Sequence, residues 1–91
     1  MSELKKMNPE DIEQVNGGYG VDGGWDIATA SVKEGTFLAL RSYPSYDDSN
    51  IIDEIYNGQR FSVYPEKWSG DYVWAYYNGN EGWVNSNYCW W

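Results

Sequence analysis

Turn signals recur so closely along this chain that no long helix fits between them. Lys33-Glu34-Gly35, Ser42-Tyr43-Pro44-Ser45, Asn57-Gly58, Ser69-Gly70-Asp71 and Asn78-Gly79-Asn80 follow one another at short intervals. Glycine supplies the positive φ of tight turns, proline presets φ, and Asn, Asp and Ser bond back to the local backbone, so each cluster interrupts a regular element for a stated reason. Short segments between close turns, rich in Val, Ile, Tyr and Trp, predict an all-β domain. The sharpest signal is Asn78-Gly79, which lies between Tyr72-Val73-Trp74-Ala75-Tyr76-Tyr77 and Gly82-Trp83-Val84 and predicts a tight hairpin. Alternation places Val73, Ala75 and Tyr77 on one face of that hairpin and Trp74 and Tyr76 on the other.

All seventeen aromatic residues (six Trp, nine Tyr, two Phe) lie between Tyr19 and Trp91, and none in the first eighteen residues. This shift divides the chain into a short N-terminal segment and one strand-forming domain. A total of 91 residues leaves room for one core and not two. Because aromatics fall on both faces of the predicted hairpin, those outside the core are either covered by loops or form a surface for a partner.

The chain carries a net charge of −8, and beyond Gly18 its only basic residues are Lys33, Arg41, Arg60 and Lys67. That balance gives no electrostatic footprint for nucleic acid or for anionic lipid. The longest apolar run, Phe37-Leu38-Ala39-Leu40, is far short of a membrane span. There is no His, and Cys89 has no base beside it in sequence, so nucleophilic catalysis lacks its parts. The acidic doublets Asp47-Asp48 and Asp53-Glu54 flank a predicted loop, but their spacing lacks the Gly and the terminal Glu of a calcium loop. They read as a solvated loop, and neither metal nor cofactor is expected. Cys89 is expected to be a free thiol, with an intermolecular bridge as the alternative.

The first eighteen residues have an organisation of their own. Asn8-Pro9-Glu10-Asp11 suits a helix start, with Asn8 as cap and Asp11 able to reach back toward it. Leu4, Met7, Ile12 and Val15 form an apolar stripe, and Gly17-Gly18 ends the helix. Four apolar residues build no core, but a short amphipathic helix fits a partner's groove. One reading is a frayed helix joined to the domain by a Gly-rich linker. The favoured reading rests on a resemblance: the segment resembles the double-glycine leader peptides of bacteriocin-type precursors. Counted back from Gly18, Val15, Ile12, Met7 and Leu4 occupy that family's apolar places and Asp11 its acidic one, where Glu is commoner. The resemblance implies cleavage between Gly18 and Tyr19 by a peptidase-containing ABC exporter, and therefore a secreted mature protein. The second pair, Gly23-Gly24, has only Val21 at a matching place.

The remainder is similar to bacterial SH3 domains. Three ordered segments carry the likeness: Leu38-Ala39-Leu40-Arg41-Ser42-Tyr43-Pro44-Ser45; Ile51 through Phe61 with its Asn57-Gly58 turn; and Tyr72 through Val84, closing in Gly82-Trp83-Val84. The expected organisation is a leader over 1–18, a Gly-rich spacer over 19–26 and an SH3-like barrel of about five to seven short antiparallel strands over 27–91. The sequence departs from that family at Ala39, usually Asn, and at Tyr43, usually Gly.

By the same resemblance, peptides bind in a shallow groove between the loop after the first strand and the distal hairpin. Its expected liners are Tyr43, Tyr46, Trp68, Tyr72, Trp83 and Tyr88, residue types that combine contact area, stiffness and a polar tip. For Tyr72 and Trp83 the core is an equal alternative. The expectation is a monomeric, non-enzymatic, secreted module that recognises cell-wall peptide, without nucleic-acid or membrane partners. A bacteriocin-like effector and a domain for some other protein partner stand as alternatives. The first of these fits poorly with an acidic chain of little helical periodicity.

Overall fold

The computed structural model describes residues 24–91. The expected leader and most of the expected spacer lie outside the described residues.

Seven antiparallel strands form a single sheet: β1 Asp26–Ala30, β2 Phe37–Arg41, β3 Ile51–Tyr56, β4 Arg60–Ser69, β5 Tyr72–Tyr77, β6 Asn80–Asn85 and β7 Cys89–Trp90. Their order across the sheet is β3-β2-β6-β5-β4-β1-β7. The domain is all-β, with single 3-10 turns at Asp48–Asn50 and Ser86–Tyr88. β1 begins in the last residue of the expected spacer, and Trp25 just before it packs on Tyr64 with ring centroids 5.3 Å apart.

The hairpin read from Asn78-Gly79 joins β5 to β6, with φ of 55° at Asn78 and 86° at Gly79. Positive φ at both central residues gives a turn whose twist matches that of the strands it joins. The register runs from Tyr77 opposite Asn80 to Tyr72 opposite Asn85, setting Trp74 directly across from Trp83.

One core cluster draws Ala28 and Ala30 from β1, Leu38 and Leu40 from β2, Ile55 from β3, Phe61 and Val63 from β4, Val73 and Ala75 from β5, and Val84 from β6. A flat sheet cannot bring six of its strands onto one cluster, so the sheet curls into a barrel-like form. Leu40, Ile55, Val63, Val73 and Val84 are completely buried; burying side chains of this size contributes about 1.5–3 kcal/mol each. Strand alternation then sends Ala39 and Arg41 of β2, Tyr72 and Trp74 of β5, and Trp83 and Asn85 of β6 to the outer face.

Candidate functional site

The outer face of β2, β6 and β5 carries a shallow cleft of about 80 Å³ lined by Phe37, Leu38, Ala39, Arg41, Tyr46, Tyr72, Asn85 and Tyr88. Its floor follows from the sheet register. β2 meets β6 at the Arg41–Trp83 pair, and Ala39 and Asn85, two residues along each strand, both line the cleft. Tyr72 sits across β6 from there, opposite Asn85. Tyr72 is only 9% exposed, yet it belongs to the cleft and not to the core cluster.

The walls come from two loops. Tyr46 is 84% exposed and Tyr88 51%, so their rings stand at the rim with most of their surface in water. Tyr46 is held by Arg41, whose guanidinium lies 4.9 Å from its ring centroid. Arg41 is itself buried, at 6% exposure, beneath the loop that follows its strand. Its Nη1 donates to the Asp47 carbonyl at 2.9 Å and to Asn50 Oδ1 at 3.0 Å. A buried guanidinium needs such acceptors, so ordering the loop and satisfying the charge are one event.

Asn50 continues the bracing by donating from Nδ2 to the Ser45 carbonyl at 3.0 Å. Asp47 accepts from the Ser49 N–H at 3.0 Å and from the Ser49 hydroxyl at 2.9 Å. Those two bonds, backbone first, hold the Asp47 carboxyl below its usual 3.8, with the positive charge of Arg41 assisting. A depressed carboxylate stabilises the loop above pH 3.8 and loses that contribution as pH falls through the lowered value.

Of the six aromatics expected to line a groove, the structure brings Tyr46, Tyr72 and Tyr88 together. The other three stand elsewhere. Tyr43 is exposed in the β2–β3 loop outside the cleft. Trp68 packs on Trp91 with ring centroids 6.0 Å apart, and its Nε1 donates to the Pro65 carbonyl at 2.7 Å. Trp83 is half-buried on the outer face, edge-on to Trp74 at 5.1 Å and 78°.

The structure adds Phe37, Leu38, Ala39, Arg41 and Asn85 to the lining. Arg41 had a sequence signal, being a lone cation at the end of the apolar run Phe37-Leu38-Ala39-Leu40. Asn85 had none, because its place depends on how β6 crosses β2.

A second feature adjoins the cleft on the same face. The Lys67 ammonium lies 3.8 Å from the Trp74 ring centroid and 5.6 Å from that of Trp83. Trp74 Nε1 donates to Glu81 Oε1 at 2.7 Å, which fixes that ring. An exposed ammonium on such rings gains about 0.5–1 kcal/mol.

Among the described residues no three His, Cys, Asp or Glu side chains cluster as metal ligands would. Asp47, Asp53 and their neighbours instead hydrogen-bond locally: the Glu54 N–H donates to Asp53 Oδ1 at 2.8 Å. Burial raises the Cys89 thiol to about 12. No protein-family model, curated protein or solved structure matches the chain.

Proposed function

We propose that the chain is a secreted, non-catalytic binding module that takes cell-wall peptide in the cleft between Tyr46, Tyr72 and Tyr88. The proposal includes export through an ABC transporter whose peptidase cuts after Gly18. The observation that carries the binding half is an aromatic cleft with a braced wall: Tyr46 stands on a loop tied to β2 through Arg41 and Asn50. Rigid aromatic side chains on an ordered loop lose little entropy on binding.

The size of the cleft favours a peptide over a small-molecule cofactor. Cofactor and drug-like pockets usually enclose about 300–1,000 Å³, whereas this cleft has about 80 Å³. It accommodates a small side chain of an extended chain lying across the face. Ala39 on the floor keeps that space open, where the similar bacterial SH3 domains usually carry Asn. The acidic residues Asp47 and Asp48 beside Tyr46 suit a ligand bearing amines.

Co-sedimentation of the Tyr19–Trp91 segment with purified sacculi tests the binding half. The segment is expected in the pellet, and Tyr46→Ala and Tyr88→Ala, both at exposed positions, are each expected to weaken binding about tenfold, equivalent to about 1.4 kcal/mol. Ala39→Leu, which fills the floor, is expected to abolish it. A segment that stays in the supernatant removes the wall-peptide reading, and growth inhibition of neighbouring cells in its place favours the effector.

Mass spectrometry of culture medium tests export: a species beginning at Tyr19 is expected, and an extracellular chain that retains Met1 refutes it. Gly18→Phe is expected to trap the precursor, because only a glycine pair threads a narrow protease cleft in extended form.

A further inference from the structure

We infer that the perpendicular rings of Trp74 and Trp83 form a site for a primary alkylammonium group of a ligand, and that Lys67 occupies this site in the free chain. The site adds a cation position beside the cleft, and it stands or falls separately from the wall-peptide reading.

The geometry is built by strand pairing. Trp74 and Trp83 are direct partners across β5 and β6, and their 78° angle makes two walls of an open corner. Indole faces attract cations through the ring quadrupole, most strongly among the aromatic side chains. The hydrogen bond from Trp74 to Glu81 adds a carboxylate at the ring edge, so the electrostatics of the corner favour positive charge.

The occupant is delivered by an irregularity. Between Tyr64 and Trp68 the β4–β5 register shifts, leaving Pro65, Glu66 and Lys67 without partners in the ladder. Bulges of this kind re-aim side chains and recur beside binding sites. In a chain of net charge −8 with fourteen carboxylates, the Lys67 ammonium meets two rings. Lys67 is exposed and has no partner in the β4–β5 register, and its side chain can swing into water by rotation about its own bonds. A primary ammonium from outside can therefore replace it in kind.

Position gives the corner its use. Trp83 is paired with Arg41, which lines the cleft and carries Tyr46 on its guanidinium. A ligand lying in the cleft and bearing an amine has a cation site next to it on the same face. Lys67 then acts as an internal competitor, weak in contact but high in effective concentration because it is tethered.

The probe is Nα-acetyl-lysine methylamide, with its Nε-acetylated form as neutral control, followed by NMR. In the native chain the Lys67 ε-methylene protons are expected upfield under the rings, and they should move to solvent values as the probe is added. In Lys67→Met the indole Nε1–H signals of Trp74 and Trp83 should respond at about three- to sixfold lower probe concentration, the tethered competitor being gone. If Lys67→Met fails to fold, the native Lys67 signals decide alone.

Lys67 signals that stay put under excess probe, or equal responses to probe and neutral control, overturn the site. Sacculus binding with static Lys67 signals overturns this inference and leaves the wall-peptide reading. Moving signals without sacculus binding support the site and remove that reading.

Discussion

At the scale of single residues, Cys89 separates reactivity from mere presence. The side chain sits behind β7 with its Sγ 3.8 Å from the Asn85 carbonyl, packed against the core cluster. Burial disfavours the thiolate and raises the thiol from 9.0 to about 12. The sign follows: the unfolded thiol ionises above 9.0 while the folded one stays neutral to about 12. Burial of the neutral thiol therefore stabilises the fold fully below pH 9.0, and this contribution is lost as pH rises from there through about 12. Because the thiolate is the nucleophile in alkylation and disulfide exchange, iodoacetamide at pH 8.5 is expected to modify the native chain at least about tenfold more slowly than the chain in guanidinium. Equal rates would contradict the burial, and would reopen the intermolecular bridge that the sequence left as an alternative. Sequence alone gave Cys89 no base and no partner; that it packs under the sheet depends on the pairing of β7 with β1, which no local pattern encodes.

At the scale of elements, the crossing of β6 over β2 decides what the cleft floor can be. A Cβ built on Gly82 would stand 2.5 Å from the Arg41 carbonyl oxygen and 3.2 Å from Ile52 Cδ1. Backbone cannot retreat from such a contact as a flexible side chain can, so Gly82→Ala is expected to cost about 1–3 kcal/mol. Urea unfolding measures it, and a midpoint unchanged from the native chain would show that β2 and β6 are not this close. The same variant is expected to weaken ligand binding, since Arg41 both borders Gly82 and holds the cleft wall. Gly82-Trp83-Val84 was legible as the second arm of a hairpin because Asn78-Gly79 and the alternation of β5 are local. The reason residue 82 is glycine was not, because the clashing atom belongs to a distant strand. The β4 bulge was half-legible: Pro65 lacks an N–H and cannot sit in an interior ladder, yet nothing local says that Lys67 turns onto Trp74. At the edge of the sheet, the β3 N–H groups of Glu54 and Tyr56 are taken by Asp53 Oδ1 and Gln59 Oε1. Side-chain capping of an edge strand discourages pairing with another chain.

At the scale of the whole molecule, the core formed by the described residues begins at the start of β1 and draws on six strands. Ile27 and Ala28 are buried, and β1 is held on one flank by β4 and on the other by β7, so both strands that complete the curl lie within residues 24–91. The shift in aromatic content after residue eighteen puts the large side chains a core needs in the later segment, and the leader-like segment has none that are aromatic. Removal of residues 1–18 takes away four acidic and two basic side chains, lowering the magnitude of the net charge from −8 to −6. Less self-repulsion acts slightly in favour of the compact state. Tyr19–Trp91 is therefore expected to unfold in one cooperative transition, with a midpoint within about 2–3 °C of the full chain, well under the roughly 4–8 °C that 1 kcal/mol shifts a domain of this size. Circular dichroism at 230 nm, where clustered Trp and Tyr absorb, follows it. A midpoint about 10 °C lower would mean that the N-terminal stripe of Leu4, Met7, Ile12 and Val15 packs on the barrel, and that the segment is part of the fold before it is anything to an exporter.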